Sequence, residues 1–164
     1  MSAIKVPLTR GLFAIVDDSD ASLVVPYKWY AKPASNGRTW YAVREVDGRR
    51  VWMHHVICPP LASKTVDHID GDGLDNRRDN LRSATKNEQC HNSRPSLGKR
   101  SAYKGVSWQN DRRNKDGGYW RARIMVNNRS IARHAASERE AALKYNELAC
   151  EHFGEFAWLN SVEA

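Results

Sequence analysis

The 164-residue sequence predicts an α+β protein: a β-rich N-terminal region, a strand–loop–helix centre, and a three-stranded antiparallel sheet packed on one helix. Three observations predict it. The dipeptide Asp47-Gly48 joins the aromatic, β-branched runs "RTWYAVREV" and "RRVWMHHVI", which is a hairpin signal. The stretch "VDHIDGDGLDNRRDNLRSATKNEQ" at 66–89 concentrates five aspartates, one histidine and three asparagines between a β-branched run and a helix start. Beyond residue 101, three strand-like runs precede one amphipathic helix.

In chain order, "AIKVP" at 3–7 and "GLFAIV" at 11–16 read as short strands split by a turn around Thr9-Arg10-Gly11. The segment "DDSDASLVVPYKWYA" opens a short helix, capped by Asp or Ser and ended by Pro26. Trp29, Tyr30, Trp40 and Tyr41 suit sheet packing better than base stacking. After the hairpin, "MHHVI" forms a short helix carrying His54 and His55. "TVDHID" alternates as a strand that stops at Asp70-Gly71, and "GDGLDNRRDN" is a tight polar loop. Thr85 with Glu88 three residues on is a capping box that starts another short helix.

Residues 92–101, "NSRPSLGKRS", hold Pro, Gly, Ser and three basic residues with almost no apolar content, and read as a basic linker. Lys99 and Arg100 on it either follow a phosphate backbone or sit on an exposed connector. From 102 to 164 come "AYKGVSW", "GYWRARIMV" and "NRSIARHA" as strands, then a helix with Ser137 and Glu140 as capping box and Gly154 as C-cap. The predicted organisation is therefore 1–91, linker 92–101, and 102–164.

Net charge is +7 and the pI about 9.5, which favours an anionic partner, nucleic acid first. Lys99 to Arg133 holds ten Lys or Arg against two Asp, so the charge is gathered in one module. No run of 18 apolar residues and no basic amphipathic helix appears, so no membrane partner is expected; the N-terminus lacks signal-peptide features. Cys58, Cys90 and Cys150 are widely spaced with no C-x-x-C, which fits a reducing compartment and argues against a structural zinc.

Hard oxygen donors plus one imidazole in the 66–89 stretch suit Mg²⁺ or Mn²⁺ better than zinc. "DHIDG", the Asn of "NLRSAT" and the upstream "MHHVI" resemble the HNH endonucleases of phage and intron origin, built on a ββα-metal core. The likeness covers residues 1–98, with the core at about 50–91. It implies a metal-dependent endonuclease acting on double-stranded DNA, of phage type and with homing as an option. One divalent cation per site is implied, Mg²⁺ with Mn²⁺ able to substitute. Asp67 becomes a metal ligand, His68 the general base, and Asn80 a residue that positions the loop. His54 either touches the scissile phosphate or packs near the hairpin end. Where the family places Asn or His on the helix this chain has Gln89, so Gln89, His91 or Asn92 completes the metal site. Arg77, Arg78 and Arg82 either clamp phosphates or, for Arg77 and Arg78, pair with Asp75 or Asp79.

"YKGV", the Trp120–Ile124 pattern, "EAALKYNELA" and "FGEFAWLN" resemble the Apetala/ethylene-response-factor DNA-binding domain, whose sheet lies in the major groove. That likeness implies DNA contacts by Lys104, Arg121, Arg123 and Arg129, with Trp108 either packing or contacting. Alternation puts Trp120, Ala122 and Ile124 on one face, and Arg121 and Arg123 on the other. Ser107, Arg123 and Ile131 depart from the family pattern, so base preference does not transfer. The expected product is a nick with 5′-phosphate and 3′-hydroxyl ends, from a monomer or, for double-strand cuts, a homodimer. The expected setting is the cytoplasm of a bacterial host during phage infection. The rival expectation is a non-catalytic, sequence-specific DNA-binding regulator with a degenerate nuclease core.

Overall fold

The computed structural model describes residues 2–35, 37–95, 100–113 and 117–162. The chain divides into two compact units, Met1–Gln89 and Cys90–Ala164. Both combine small antiparallel sheets with few helices, so the protein is α+β.

In the first unit, β1 (Ala3–Pro7) and β2 (Phe13–Asp17) pair antiparallel across a tight turn at Thr9–Gly11. Alternation buries Val6, Ala14 and Val16 on one face. The helix α1 (Ala21–Val24) stops ahead of Pro26, as the ring of proline requires, and the Val24 carbonyl accepts from the Trp29 indole at 2.8 Å. A meander follows: β3 (Tyr30–Pro33), β4 (Trp40–Val46) and β5 (Arg49–Trp52). Asp47 (φ 49°) and Gly48 (φ 71°) both sit in the left-handed region that the two-residue hairpin demands. Next come α2 (Met53–Ile57), β6 (Thr65–His68), β7 (Leu81–Ala84) and α3 (Lys86–His91).

A five-residue helix has little stability alone. α2 persists because Met53 and Ile57, one turn apart, are buried with Val24, Trp29, Ala42, Val66 and Leu81. Fully burying a side chain of that size contributes about 1.5–3 kcal/mol. The Thr85–Glu88 capping box forms in both directions, Glu88 N–H to Thr85 Oγ1 at 3.2 Å and Thr85 N–H to Glu88 Oε2 at 2.7 Å.

Two strands exceed the sequence expectation. β3 and β7 hold four residues each and carry no legible periodicity; each exists because a partner strand supplies its hydrogen bonds, β4 and β6 respectively. β7 occupies "LRSA", which the sequence reading placed on the approach to a helix.

In the second unit, β8 (Val106–Asn110), β9 (Gly118–Val126) and β10 (Arg129–Ala135) form a sheet of order β10-β9-β8, and α4 (Glu138–Phe153) packs on it. Ser137 Oγ accepts from Glu140 N–H at 3.1 Å, starting α4. The core is Val106, Ala122, Ile124, Ala135, Ala141, Ala142, Tyr145, Leu148 and Ala149. Of the segment read as a linker, residues 96–99 lie outside the described residues, while Asn92 and Ser101 near its ends are buried. Among the described residues no helix is long and apolar enough to cross a membrane.

Gly105 enters β8 at φ +70°, and a Cβ there would lie 2.1 Å from the Tyr145 ring. Gly105→Ala combines left-handed strain with overpacking and should destabilise the second unit by about 2–4 kcal/mol. Urea unfolding monitored by tryptophan fluorescence checks this.

Candidate active site

Between β6 and β7 the chain makes a loop of Asp and Asn residues that folds on its own side chains. Asp70 Oδ1 accepts from Asp72 N–H at 2.8 Å, Asp72 Oδ1 from Leu74 N–H at 3.0 Å, and Asp75 Oδ1 from Arg77 N–H at 3.2 Å. These are successive turns in which an aspartate captures the backbone two residues on. Asn80 ties the base: its Oδ1 accepts from Asp70 N–H at 3.1 Å, and its Nδ2 donates to Asp70 Oδ1 at 2.9 Å and Asp75 O at 2.8 Å.

Two distant elements hold this loop. On one side β2 bonds to it, Ile15 N–H to Leu74 O at 2.8 Å and Asn76 N–H to Ile15 O at 2.7 Å. Arg78 adds to that side, its N–H reaching Asp17 at 2.8 Å and its guanidinium reaching both oxygens of Asp20. On the other side Thr39 Oγ1 accepts from Gly73 N–H at 2.9 Å. The approach there admits only glycine, since a Cβ on Gly73 would sit 2.4 Å from both Trp40 O and Tyr41 Cε1.

So held, the loop meets two imidazoles. Neighbouring strand residues turn to opposite sides. Asp67 turns to Arg82, its register partner on β7, while His68 turns to Asn76 and His54. The His54 and His68 rings lie 5.0 Å apart at 83°, and both residues are buried. Burial pushes the His54 imidazole down to about 2, helped by its like-charge neighbours His68 and His55. Burial lowers His68 as well, opposed by its bond to Asn76 and by Asp70, Asp67 and Asp72. His55, more exposed, is lowered by partial burial and by His68. Both buried rings are neutral at pH 7.

Asn76 settles the tautomer of His68. Its Nδ2 donates to Leu74 O at 3.1 Å, so Oδ1 is the atom 3.3 Å from His68 Nε2. An amide oxygen only accepts, which puts the imidazole proton on Nε2 and the basic lone pair on Nδ1. Asn76 has no solvent exposure. The sequence reading did not single it out; the signal was an Asn inside a run of aspartates, eight residues past a histidine.

The carboxylate of Asp67 accepts twice at one oxygen, from Arg82 Nε at 3.1 Å and Nη2 at 2.9 Å. Gln89 lies half-buried at the end of the first unit. His91 and Asn92 belong to the second unit, where the His91 ring stacks on Phe153 at 3.7 Å. No group of three or more His, Cys, Asp or Glu is arranged to hold a metal among the described residues. Toward a hard cation the centre offers the Asp67 carboxylate; on the imidazole side the buried Nδ1 of His54 has no hydrogen-bond partner, so polar capacity there is unmet.

The arginines near the loop each face a carboxylate. Arg77 pairs with Asp75, holding that carboxyl below its usual range, and Arg78 pairs with Asp20. In the second unit, register puts Arg121 and Arg123 on the sheet face away from α4, with Ser107, Tyr119 and His134. Arg129 pairs with Val126 on the α4 side. Trp108 packs edge-on to Trp120 at 5.5 Å, and Arg100 lies over both rings. Lys104 donates to the His91 and Cys90 carbonyls, and burial pushes its ammonium down to about 8. Lys99 lies outside the described residues.

A family model described as HNH endonuclease matches residues 49–91. An uncharacterised HNH endonuclease of Acanthamoeba polyphaga mimivirus is 30% identical over 161 residues, covering 94% of this chain and 78% of the relative. No solved structure matches.

The two neutral imidazoles make acid a specific denaturant of the first unit. Above pH 6.5 neither folded nor unfolded chain protonates them; below it the unfolded chain takes up protons that folded His54 refuses until about pH 2. Stability should fall with decreasing pH through that window, by up to about 1.4 kcal/mol per pH unit for each such histidine. Urea midpoints from pH 7.5 to 5 check this, and His54→Gln should flatten the slope.

Proposed function

The chain belongs to the HNH endonuclease family of DNA nucleases, and from that premise we propose that its first unit is a divalent-metal-dependent endonuclease cutting phosphodiester bonds of duplex DNA. The supporting observation is the buried, neutral His68, with its proton fixed on Nε2 by Asn76 and with Asp67 beside it in sequence. In this reading β6, β7 and α3 are the ββα-metal core, and Asp67 with Gln89 holds the cation. Bound there, such an ion supplies positive charge against the phosphate in the transition state.

Our reading assigns the remaining chemistry to side chains. His68 Nδ1 takes a proton from the attacking water, and the imidazolium that forms is steadied by the Asn76 oxygen on Nε2–H and by Asp67, Asp70 and Asp72. Burial keeps the ring unprotonated before the reaction, so the base is ready at neutral pH. His54, neutral and with an unpartnered Nδ1, is a hydrogen-bonding group for a phosphate oxygen. Asn80 holds the loop that carries Asn76.

The second unit, in the same proposal, docks on the duplex through the outer face of its sheet, in the manner of the Apetala/ethylene-response-factor domain. Support comes from Arg121 and Arg123, which face away from α4, and from the local excess of basic residues. Arg129, Trp108 and Lys104 carry less of that reading, because helix-side position, ring packing and carbonyl capping occupy them. A phage or homing source finds no support in the mimivirus relative, which speaks only for a virus. The rival reading, a DNA-binding regulator with a decayed core, draws on the Arg82–Asp67 ion pair and on Gln89.

Supercoiled plasmid with Mg²⁺ or Mn²⁺ should be nicked, EDTA should stop it, and His68→Ala should lower the rate by about 10²–10⁴-fold while a gel shift stays unchanged. Binding without metal-dependent nicking would favour the regulator. Replacing Arg121 and Arg123 by Ala should weaken duplex binding and reduce the slope of log K against log salt by about 1–2, read by fluorescence anisotropy.

A further inference from the structure

Tyr41 lies on β4, outside the segment matched by the family model, and its surroundings are unlike those of a core aromatic. Its neighbour Ala42 belongs to the apolar core of the first unit, whereas Tyr41 does not. Its ring centroid lies 5.7 Å from His54, 5.8 Å from His68 and 5.5 Å from Trp52, all at inclined or edge-on angles. Those separations fall in the range where ring pairs attract and hold a mutual orientation. One edge of the ring meets the loop, where Gly73 must lack a side chain to make room for Cδ1 and Cε1. Two residues earlier on the same stretch, Thr39 accepts the Gly73 N–H.

We propose that Tyr41 is a positioning residue of the active centre: its ring, packed against Gly73 and close to both His54 and His68, fixes the orientation of the His68 imidazole. This rests on the reading of His68 as the base. The 3.3 Å contact from His68 Nε2 to Asn76 is long, so a small tilt of the imidazole breaks it and releases the tautomer. Asn76 rides on the loop that Tyr41 and Thr39 abut, so one ring sets both partners of that bond. Burial and the charge of Asp67 keep the phenol protonated, so Tyr41 acts as a neutral ring rather than as a second base. The N-terminal meander is thereby part of the catalytic centre.

Single-turnover nicking, duplex affinity by anisotropy, and the ¹H–¹⁵N imidazole spectrum of His68 test this on the full chain. Tyr41→Leu should slow nicking by about 10- to 100-fold, leave affinity within about twofold, and move the His68 nitrogen shifts from the Nε2–H pattern towards a tautomer average. Tyr41→Phe should restore the spectrum and most of the rate. Thr39→Val, which removes the hydrogen bond that the same stretch makes to the loop at Gly73, should produce the same spectral change if Tyr41→Leu proves too unstable to study. The proposal is overturned if the His68 spectrum of Tyr41→Leu, or of Thr39→Val in its place, matches wild type. It is equally overturned if Tyr41→Phe is as slow as Tyr41→Leu. Should wild type fail to nick at all, the endonuclease reading falls while the spectra still decide the role of Tyr41.

Discussion

One neutral amide carries the architecture of the first unit. Asn80 accepts one hydrogen bond and donates two across the mouth of the loop between β6 and β7, and only a carboxamide offers both polarities at that spot. An aspartate there would have no proton to give the Asp75 carbonyl and would add charge beside Asp70. With the mouth closed, the intervening residues turn on three aspartates, and the loop presents Asn76 to His68 at a fixed height. The surroundings of His68, and with them its proposed role as base, depend on that closure.

The same closure explains why a basic protein holds so many carboxylates at its middle. Asp70, Asp72 and Asp75 spend their oxygens on backbone N–H groups, and Asp67, Asp20 and Asp75 each face an arginine. The remaining field acts locally on His68, favouring its protonated form while burial opposes it. In its proposed role as a base, unprotonated at rest yet stabilised once protonated, His68 needs both influences.

Local signals were legible in the sequence and long-range ones were not. The hairpin at Asp47-Gly48, the capping boxes at Thr85 and Ser137, and the alternation of Arg121 and Arg123 against Trp120, Ala122 and Ile124 are short-range codes, and each is found. β7 escaped because four residues cannot show a period and its identity lies in its pairing with β6. Asn76 escaped because its role is defined by a histidine eight residues away and by the carbonyl of Ile15. Tyr41 read as a packing aromatic, since nothing local separates a ring against apolar side chains from one against imidazoles. Lys104 was legible as a cation but not as a carbonyl cap, whereas the packing of Trp108 on Trp120 was one of the two roles the sequence left open.

Arg82 joins these strands of argument. It faces Asp67 across the β6–β7 ribbon, and with both side chains largely buried the pair resists loss of either member, because the survivor would be an uncompensated charge in a poor solvent. Two guanidinium contacts fall on one carboxylate oxygen, and that grip orients the carboxylate. In the proposed metal site this arrangement would carry an electrostatic cost, since a second positive charge would enter beside the first. Affinity for the ion would thereby be lowered in exchange for a carboxylate whose direction is already set, a trade that would suit a weakly held, well-hydrated divalent cation better than a tightly caged one.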